Sequence, residues 1–345
     1  MKNNSQTKIL FLINNLGVGG AEGVFLREAE ALQGLGFETQ IFALYPNNFR
    51  NIYDWKGYLG LVKKIKEERI THVYSTLDDA NFVAKIVRIF VKFKLFCREA
   101  NMTEDKSLKF KIADVALNFL VYKLVMVASA VKQSYLSYDP YHKNKMTVLY
   151  NGVFIPEITP NKEISNPIKI LAVGSFTNKK GFSDLVLIIK DFVFKNHNNF
   201  VLEIVGGGPL LHQIRSQIKD FGLEEYIKCP GALDKDSLKL KYMESDIFVL
   251  TSKKEGCPNV LLEAMSYGLA PICFAVGATP EIIEKDVSGF VVSKGDKLAF
   301  GQAVVDLLKN PSKIKIIGNK ARERVVAQFS FDDHAAKLQE VLQLR

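Results

Sequence analysis

Short apolar runs rich in Val, Ile, Leu and Phe recur along the chain, separated by longer segments of helical periodicity. The runs Ile9 to Ile13, Gln40 to Ala43, His72 to Ser75, Lys94 to Cys97, Val125 to Ala128 and Thr147 to Tyr150 predict six strands. A second set follows at Lys169 to Val173, Val201 to Val205, Ile227 to Cys229, Ile247 to Leu250, Pro271 to Phe274 and Gly289 to Val291. Strand and helix in alternation imply parallel sheets with crossover helices. Between the sets the rhythm lapses at Pro156, Pro160, Asn161, Asn166 and Pro167, residues of linker character. The pattern therefore predicts two doubly wound α/β domains: 1–153, a linker over 154–167, 168–325, and a C-terminal helix over 326–345 that Ser330 to His334 could cap. In open parallel sheets ligands bind beyond the carboxyl ends of the strands, so the expected site is a cleft that the two domains face.

At 345 residues the chain is long enough for two cores, and 48% hydrophobic with 24% charged residues is ordinary for a globular protein. Disorder is expected only over Met1 to Thr7. Cys97, Cys229, Cys257 and Cys273 are scattered without a C-x-x-C, which indicates neither a disulfide framework nor a zinc site. The N-terminus shows no apolar leader segment, and the longest apolar stretch, Val115 to Val131, is broken by Asn118 and Lys123. A cytoplasmic protein is expected, with peripheral contact at the inner face of the cytoplasmic membrane as an extension of that reading. Net charge is +9, and the first 160 residues hold 21 basic and 15 acidic side chains, so two-thirds of the excess lies there. That half is the one expected to meet an anionic partner.

Several turns carry candidate chemistry. Gly17-Val-Gly-Gly-Ala-Glu22 follows the first strand and opens a helix, where glycines let a phosphate approach the backbone amides. The dinucleotide fingerprint is not met, because Glu22 takes the last glycine position and no acidic ribose ligand ends the second strand. Val173-Gly-Ser-Phe-Thr-Asn-Lys-Lys-Gly181 holds two lysines in a glycine-flanked turn, and Lys180 there suits a diphosphate. Gly206-Gly-Gly-Pro209 is a further glycine turn after a strand. Glu255-Gly-Cys-Pro-Asn-Val-Leu-Leu-Glu263 places one carboxylate on an approach loop and another about one turn into a helix opened by Pro258. Each turn alone also fits an ordinary solvated loop or amphipathic helix.

In this order, together with Asn151-Gly152-Val153 and Ser245 to Ser252, the motifs resemble the retaining glycosyltransferases of family 4, which have a GT-B fold and a Glu-x7-Glu motif. The resemblance spans essentially the whole chain. It implies two Rossmann-like domains, a nucleotide-sugar donor on the C-terminal one and an acceptor on the N-terminal one. It implies Glu263 as the ribose contact, Glu255 near the transferred sugar and Lys180 on the diphosphate, with Glu255 and Lys180 the catalytic pair. Gly19, Gly20, Ser175 and Gly207 would border the donor; Gly231, Ala232 and Leu233 would present backbone to the base; Pro258, Asn259 and Val260 would meet the sugar. The chain departs from the family where Ser175 replaces a common arginine and Ala100 a common histidine. Arg98, Glu99 and Asn101 are then the acceptor candidates, and none of the five histidines falls in a recognisable motif.

Charge develops on the leaving diphosphate, so its stabilisation by Lys180 and by the helix starts at Gly19 and Pro258 is the main expected catalytic term. The resemblance implies a same-face reaction in which a diphosphate oxygen takes the acceptor proton, with no cofactor and no metal. The reading is a transferase, UDP-sugar favoured over GDP-sugar, acting on a saccharide or polyprenyl-linked acceptor of a surface glycan of lipopolysaccharide, O-antigen or capsule type. A GT-B-fold nucleotide-sugar epimerase and a catalytically silent glycan-binding relative are the alternatives. Ala84 to Phe96 and Lys106 to Leu124 interleave basic and apolar residues, which suits either an anionic membrane surface or core elements with solvated lysines. No motif supports nucleic-acid binding.

Overall fold

The computed structural model describes residues 7–17, 19–157 and 163–344. The first six residues, read above as disordered, lie outside the described residues, as do Val18 in the first glycine motif and 158–162 in the breaker-rich stretch. The chain forms two compact units, Met1–Gly152 together with Asp332–Arg345, and Val153–Phe331.

The first unit holds β1 (Lys8–Ile13), β2 (Glu38–Ala43), β3 (His72–Thr76), β4 (Lys94–Glu99), β5 (Lys123–Met126) and β6 (Met146–Val148) in the order β2-β1-β3-β4-β5-β6. Every pairing is parallel. β5 starts earlier than its apolar run implies because Lys123 already pairs with Phe96, while Ala128 is extended and precedes the helix Ser129–Leu136. Phe11, Phe25 and Tyr74 pack ring to ring at 5.0–5.5 Å on one sheet face. The last helix, Phe331–Val341, brings Leu338, followed by Leu342 and Leu344, onto that same core. Full burial of each leucine contributes about 1.5–3 kcal/mol. His334, which no motif explained, ties this returning segment down: its Nε2 lies 2.8 Å from the buried Glu28 carboxylate and its Nδ1 2.7 Å from the Tyr150 carbonyl oxygen.

The second unit holds β7 (Ile168–Val173), β8 (Phe200–Val205), β9 (Ile227–Gly231), β10 (Ile247–Leu250), β11 (Ala270–Phe274) and β12 (Phe290–Val292) in the order β12-β11-β10-β7-β8-β9. The chain winds outward from β7 to β9, then returns to the other side of β7 through β10. That reversal opens a crevice at the carboxyl ends of β7 and β10, where open parallel sheets bind ligands. An apolar core runs through this unit from Ile168 to Ile317. Among the described residues no helix is long and apolar enough to cross a membrane, and none of the four cysteines is in a disulfide.

Candidate active site

The strand reversal brings two loops together. Lys180, at the end of a short 3-10 turn after β7, donates to the Glu255 carboxylate beyond β10 at 2.5 Å across 75 residues of sequence. Their side chains are 20% and 12% exposed, so the pair is shielded yet open to a ligand. Two glycines make the approach feasible. Gly181 has φ +67°, and a β-carbon there would lie 2.3 Å from the Thr251 carbonyl oxygen. Gly277 has φ +51° and presses against Glu255, whose carbonyl oxygen an added β-carbon would meet at 2.0 Å. Larger residues at either position would force the loops apart. Hydrogen bonds hold the assembly: Lys253 N donates to Lys179 O at 2.7 Å, and Ala278 N to Gly256 O at 2.8 Å.

Glu263 stands on the helix Asn259–Ser266, which begins after Pro258 and buries Leu261, Leu262, Ala264 and Met265. Its own face is half-exposed. The Tyr242 hydroxyl donates to Glu263 Oε2 at 3.0 Å, and Tyr242 stacks on Tyr267 with ring centroids 5.5 Å apart. Burial, then the Glu263 charge, pushes the Tyr242 hydroxyl well above its ordinary range, so it acts at neutral pH as a donor that fixes the carboxylate. Sequence reasoning missed Tyr242, because a tyrosine 21 residues upstream on another helix carries no local signal.

Of the remaining donor candidates, Gly231 ends β9, and Ser175, Gly207, Ala232 and Leu233 lie on the turns after β7, β8 and β9 of the second unit. Gly206 N donates to Gly231 O at 2.9 Å, and Phe176 N to Gly207 O at 2.8 Å, which ties the turns after β7, β8 and β9. A β-carbon on Gly207 would sit 3.5 Å from the Ala232 methyl. Ala232 and Leu233 run between β9 and a helix capped by Asp234, with Ala232 exposed. Ser175 is exposed beside the Lys180 turn. Gly19 and Gly20 belong to the first unit, at the start of the helix Gly20–Gly34. There the Glu22 carboxylate folds back over Gly19, close to where a β-carbon would stand.

Arg98 and Glu99 end β4 but are 1% and 4% exposed, which corrects their reading as acceptor contacts. Arg98 donates to Asn151 Oδ1 at 2.6 Å, and its Nε lies 3.7 Å from Glu28. Glu99 accepts from Asn81 Nδ2 at 3.1 Å and from Lys106 Nζ at 2.9 Å. Their polar atoms serve the interior of the unit; Asn101 alone of the three is exposed. Lys85 and Lys106, from the basic runs, are buried as well, both paired with Asp114.

Two six-stranded parallel sheets of this topology, each doubly wound, are the GT-B architecture. Residues 155–324, just under half of the chain, match the model of the family described as "Glycosyl transferases group 1". The amylovoran biosynthesis glycosyltransferase AmsK of Erwinia amylovora is 30% identical over 187 residues, 52% of this chain and 46% of its own length. The chain thus spans about half the length of AmsK, as it does of several other curated relatives it matches. An uncharacterized glycosyltransferase of Haemophilus influenzae is 24% identical over 340 residues, 91% of this chain and 94% of its own. The crystal structure of Anabaena Alr3699/HepE in complex with UDP shares the fold with a TM-score of 0.83 at 18% identity, covering 98% of this chain and 100% of that one.

Proposed function

We propose that the chain is a retaining glycosyltransferase that takes a sugar from a nucleotide-sugar, UDP-sugar before GDP-sugar, and passes it to a saccharide or polyprenyl-linked acceptor in the building of a surface glycan. The Lys180–Glu255 pair at the strand reversal carries this reading. UDP in the Alr3699/HepE complex and the amylovoran role in the name of AmsK support the donor and the glycan. In the reaction the bond from the anomeric carbon to the diphosphate oxygen breaks and its electron pair leaves with the diphosphate. The acceptor oxygen bonds the same face of that carbon, and its proton passes to a diphosphate oxygen. Lys180 meets the developing negative charge, helped by the helix start at Pro258. Glu255 holds Lys180 in place and faces the transferred sugar. Glu263, fixed by Tyr242, accepts from the ribose hydroxyls. The scheme assigns the diphosphate charge to Lys180 and backbone amides and calls on no metal and no cofactor.

Calorimetric titration with UDP and GDP tests the donor half. We expect UDP to bind more tightly, and Glu263→Ala to weaken it by about 1.5–3 kcal/mol, the worth of hydrogen bonds to a charged carboxylate. Unchanged UDP affinity in that variant would remove Glu263 from the ribose.

We also propose that the first unit contacts an anionic membrane, through a narrower surface than the basic runs imply. With Lys85 and Lys106 buried, the exposed residues of these runs include Leu108, Lys109, Ile112, Phe119 and Tyr122 on and after the helix Leu108–Leu117, and Ile89, Phe90, Lys92 and Lys94. Apolar side chains beside lysines suit an acyl boundary under anionic headgroups. Flotation with phosphatidylglycerol liposomes should carry the protein at low salt and release it as salt rises. Failure to float at low salt would exclude the contact.

A further inference from the structure

The first unit contains a cavity of mixed polar and apolar lining, reached by the first glycine motif at Gly17. Leu44 N donates to Ile13 O and Tyr45 N to Asn14 O, both at 2.8 Å, so the loops leaving β1 and β2 are zipped side by side. Beyond the zipper they part around a cavity of about 360 Å³. Its wall is Asn15, Leu16 and Gly17 on one side and Tyr45 to Asn48 on the other. The loops have internal anchors. Asn14 Oδ1 accepts from Ala80 N at 2.9 Å, the Tyr45 hydroxyl donates to Asp79 Oδ2 at 3.1 Å, and Asn48 Nδ2 donates to Ala43 O at 2.7 Å.

Those anchors leave a defined set of groups for a ligand. Asn15 Oδ1 accepts from Gly17 N, which leaves its Nδ2 to donate. Asn48 keeps its Oδ1 to accept, and the Asn47 amide meets no partner among the described residues, so it offers both. The Tyr45 and Pro46 rings and Leu16 add apolar surface, and no charged side chain lines the wall. Paired amide donors and acceptors beside small apolar faces match a pyranose ring, whose hydroxyls both donate and accept and whose C–H faces are apolar. An anionic sugar would find no cation to offset its desolvation. A cavity of this size lies at the small end for ligand sites and holds one or two such rings.

We propose that this cavity is a saccharide subsite that takes the terminal, uncharged sugar of the acceptor. Calling that sugar an acceptor rests on the transferase reading, but its binding does not. The test uses the full chain and a panel of methyl glycosides of glucose, galactose, mannose and N-acetylglucosamine, with methyl glucuronide as the charged probe, read by saturation-transfer NMR. Asn47→Trp fills the cavity from an exposed position that makes no internal hydrogen bond. At least one neutral glycoside should bind, its affinity should fall about tenfold or more in Asn47→Trp, and the glucuronide should not bind. No neutral glycoside bound, equal binding in Asn47→Trp, or a preference for the glucuronide would each overturn the proposal. UDP affinity measured on the same samples separates the two readings. UDP binding without saccharide binding overturns the subsite alone, and saccharide binding without UDP binding overturns the donor assignment alone. Unchanged UDP affinity and near-UV circular dichroism in Asn47→Trp show that the variant is folded.

Discussion

Lys180→Ala should lower turnover by about 10²–10³-fold, the loss typical when one preorganised group is removed from a developing anion. The expectation follows from where the side chain is held. Its ammonium group sits 2.5 Å from Glu255 at the strand reversal and is 20% exposed, so a diphosphate entering there meets a cation in a partly dehydrated setting. The ground-state nucleotide already carries negative charge, so part of the loss should also appear as weaker UDP binding. The larger part belongs to kcat, because more charge accumulates on the diphosphate as the anomeric bond breaks. Removing Lys180 also strands Glu255 without its partner, and a melting curve is needed beside the kinetics. Lys180→Arg keeps the charge but alters its geometry, and should recover only part of the rate. Turnover in Lys180→Ala equal to that of the parent protein would move the diphosphate site elsewhere.

The strands were legible in the sequence because each apolar run is short and flanked by turn residues, which fixes element type even where the ends shift, as at β5. The glycine-flanked turn ending at Gly181 was equally legible, and Gly181 does occupy a conformation that other residues strain to adopt; Gly277, of the same kind, carried no motif. Tertiary pairing was not. Nothing in the spacing of Lys180 and Glu255 announces a contact across 75 residues, and nothing marks Tyr242 as the donor that fixes Glu263. Charged residues misled most. Arg98 and Glu99 read as acceptor contacts, and Lys85 and Lys106 lay in basic runs read as membrane-facing or as solvated lysines on core elements, since lysine and glutamate are almost never fully buried unless paired. Here the partners come from other elements, which a one-dimensional pattern cannot show. The asparagines at 47 and 48 look like generic loop residues, and only the path of the two loops around a cavity gives them a role.

Asp114→Ala should destabilise the first unit by about 3–5 kcal/mol, the cost of leaving a buried charge uncompensated. Asp114 is the hub of a network: it accepts from Lys85 Nζ at 2.5 Å, from Lys106 Nζ at 2.8 Å and from the Tyr138 hydroxyl at 2.8 Å. Burial by itself would raise its carboxyl, but the two lysines outweigh burial and hold it down to about 2. A depressed carboxyl stabilises the folded state above its ordinary value of 3.8, and that contribution is lost as the pH falls toward 2. Lys106 keeps Glu99 when Asp114 is removed, but Lys85, whose side chain is fully buried, keeps no paired carboxylate among the described residues. The penalty therefore falls on Lys85. Replacing both ends with apolar residues of similar size, Lys85→Met with Asp114→Leu, should restore most of the stability, since it removes the stranded charge together with its partner. Urea unfolding of the single and double variants measures both effects. A single variant as stable as the parent protein, or a double variant no better than the single, would show that the network does not carry this part of the fold.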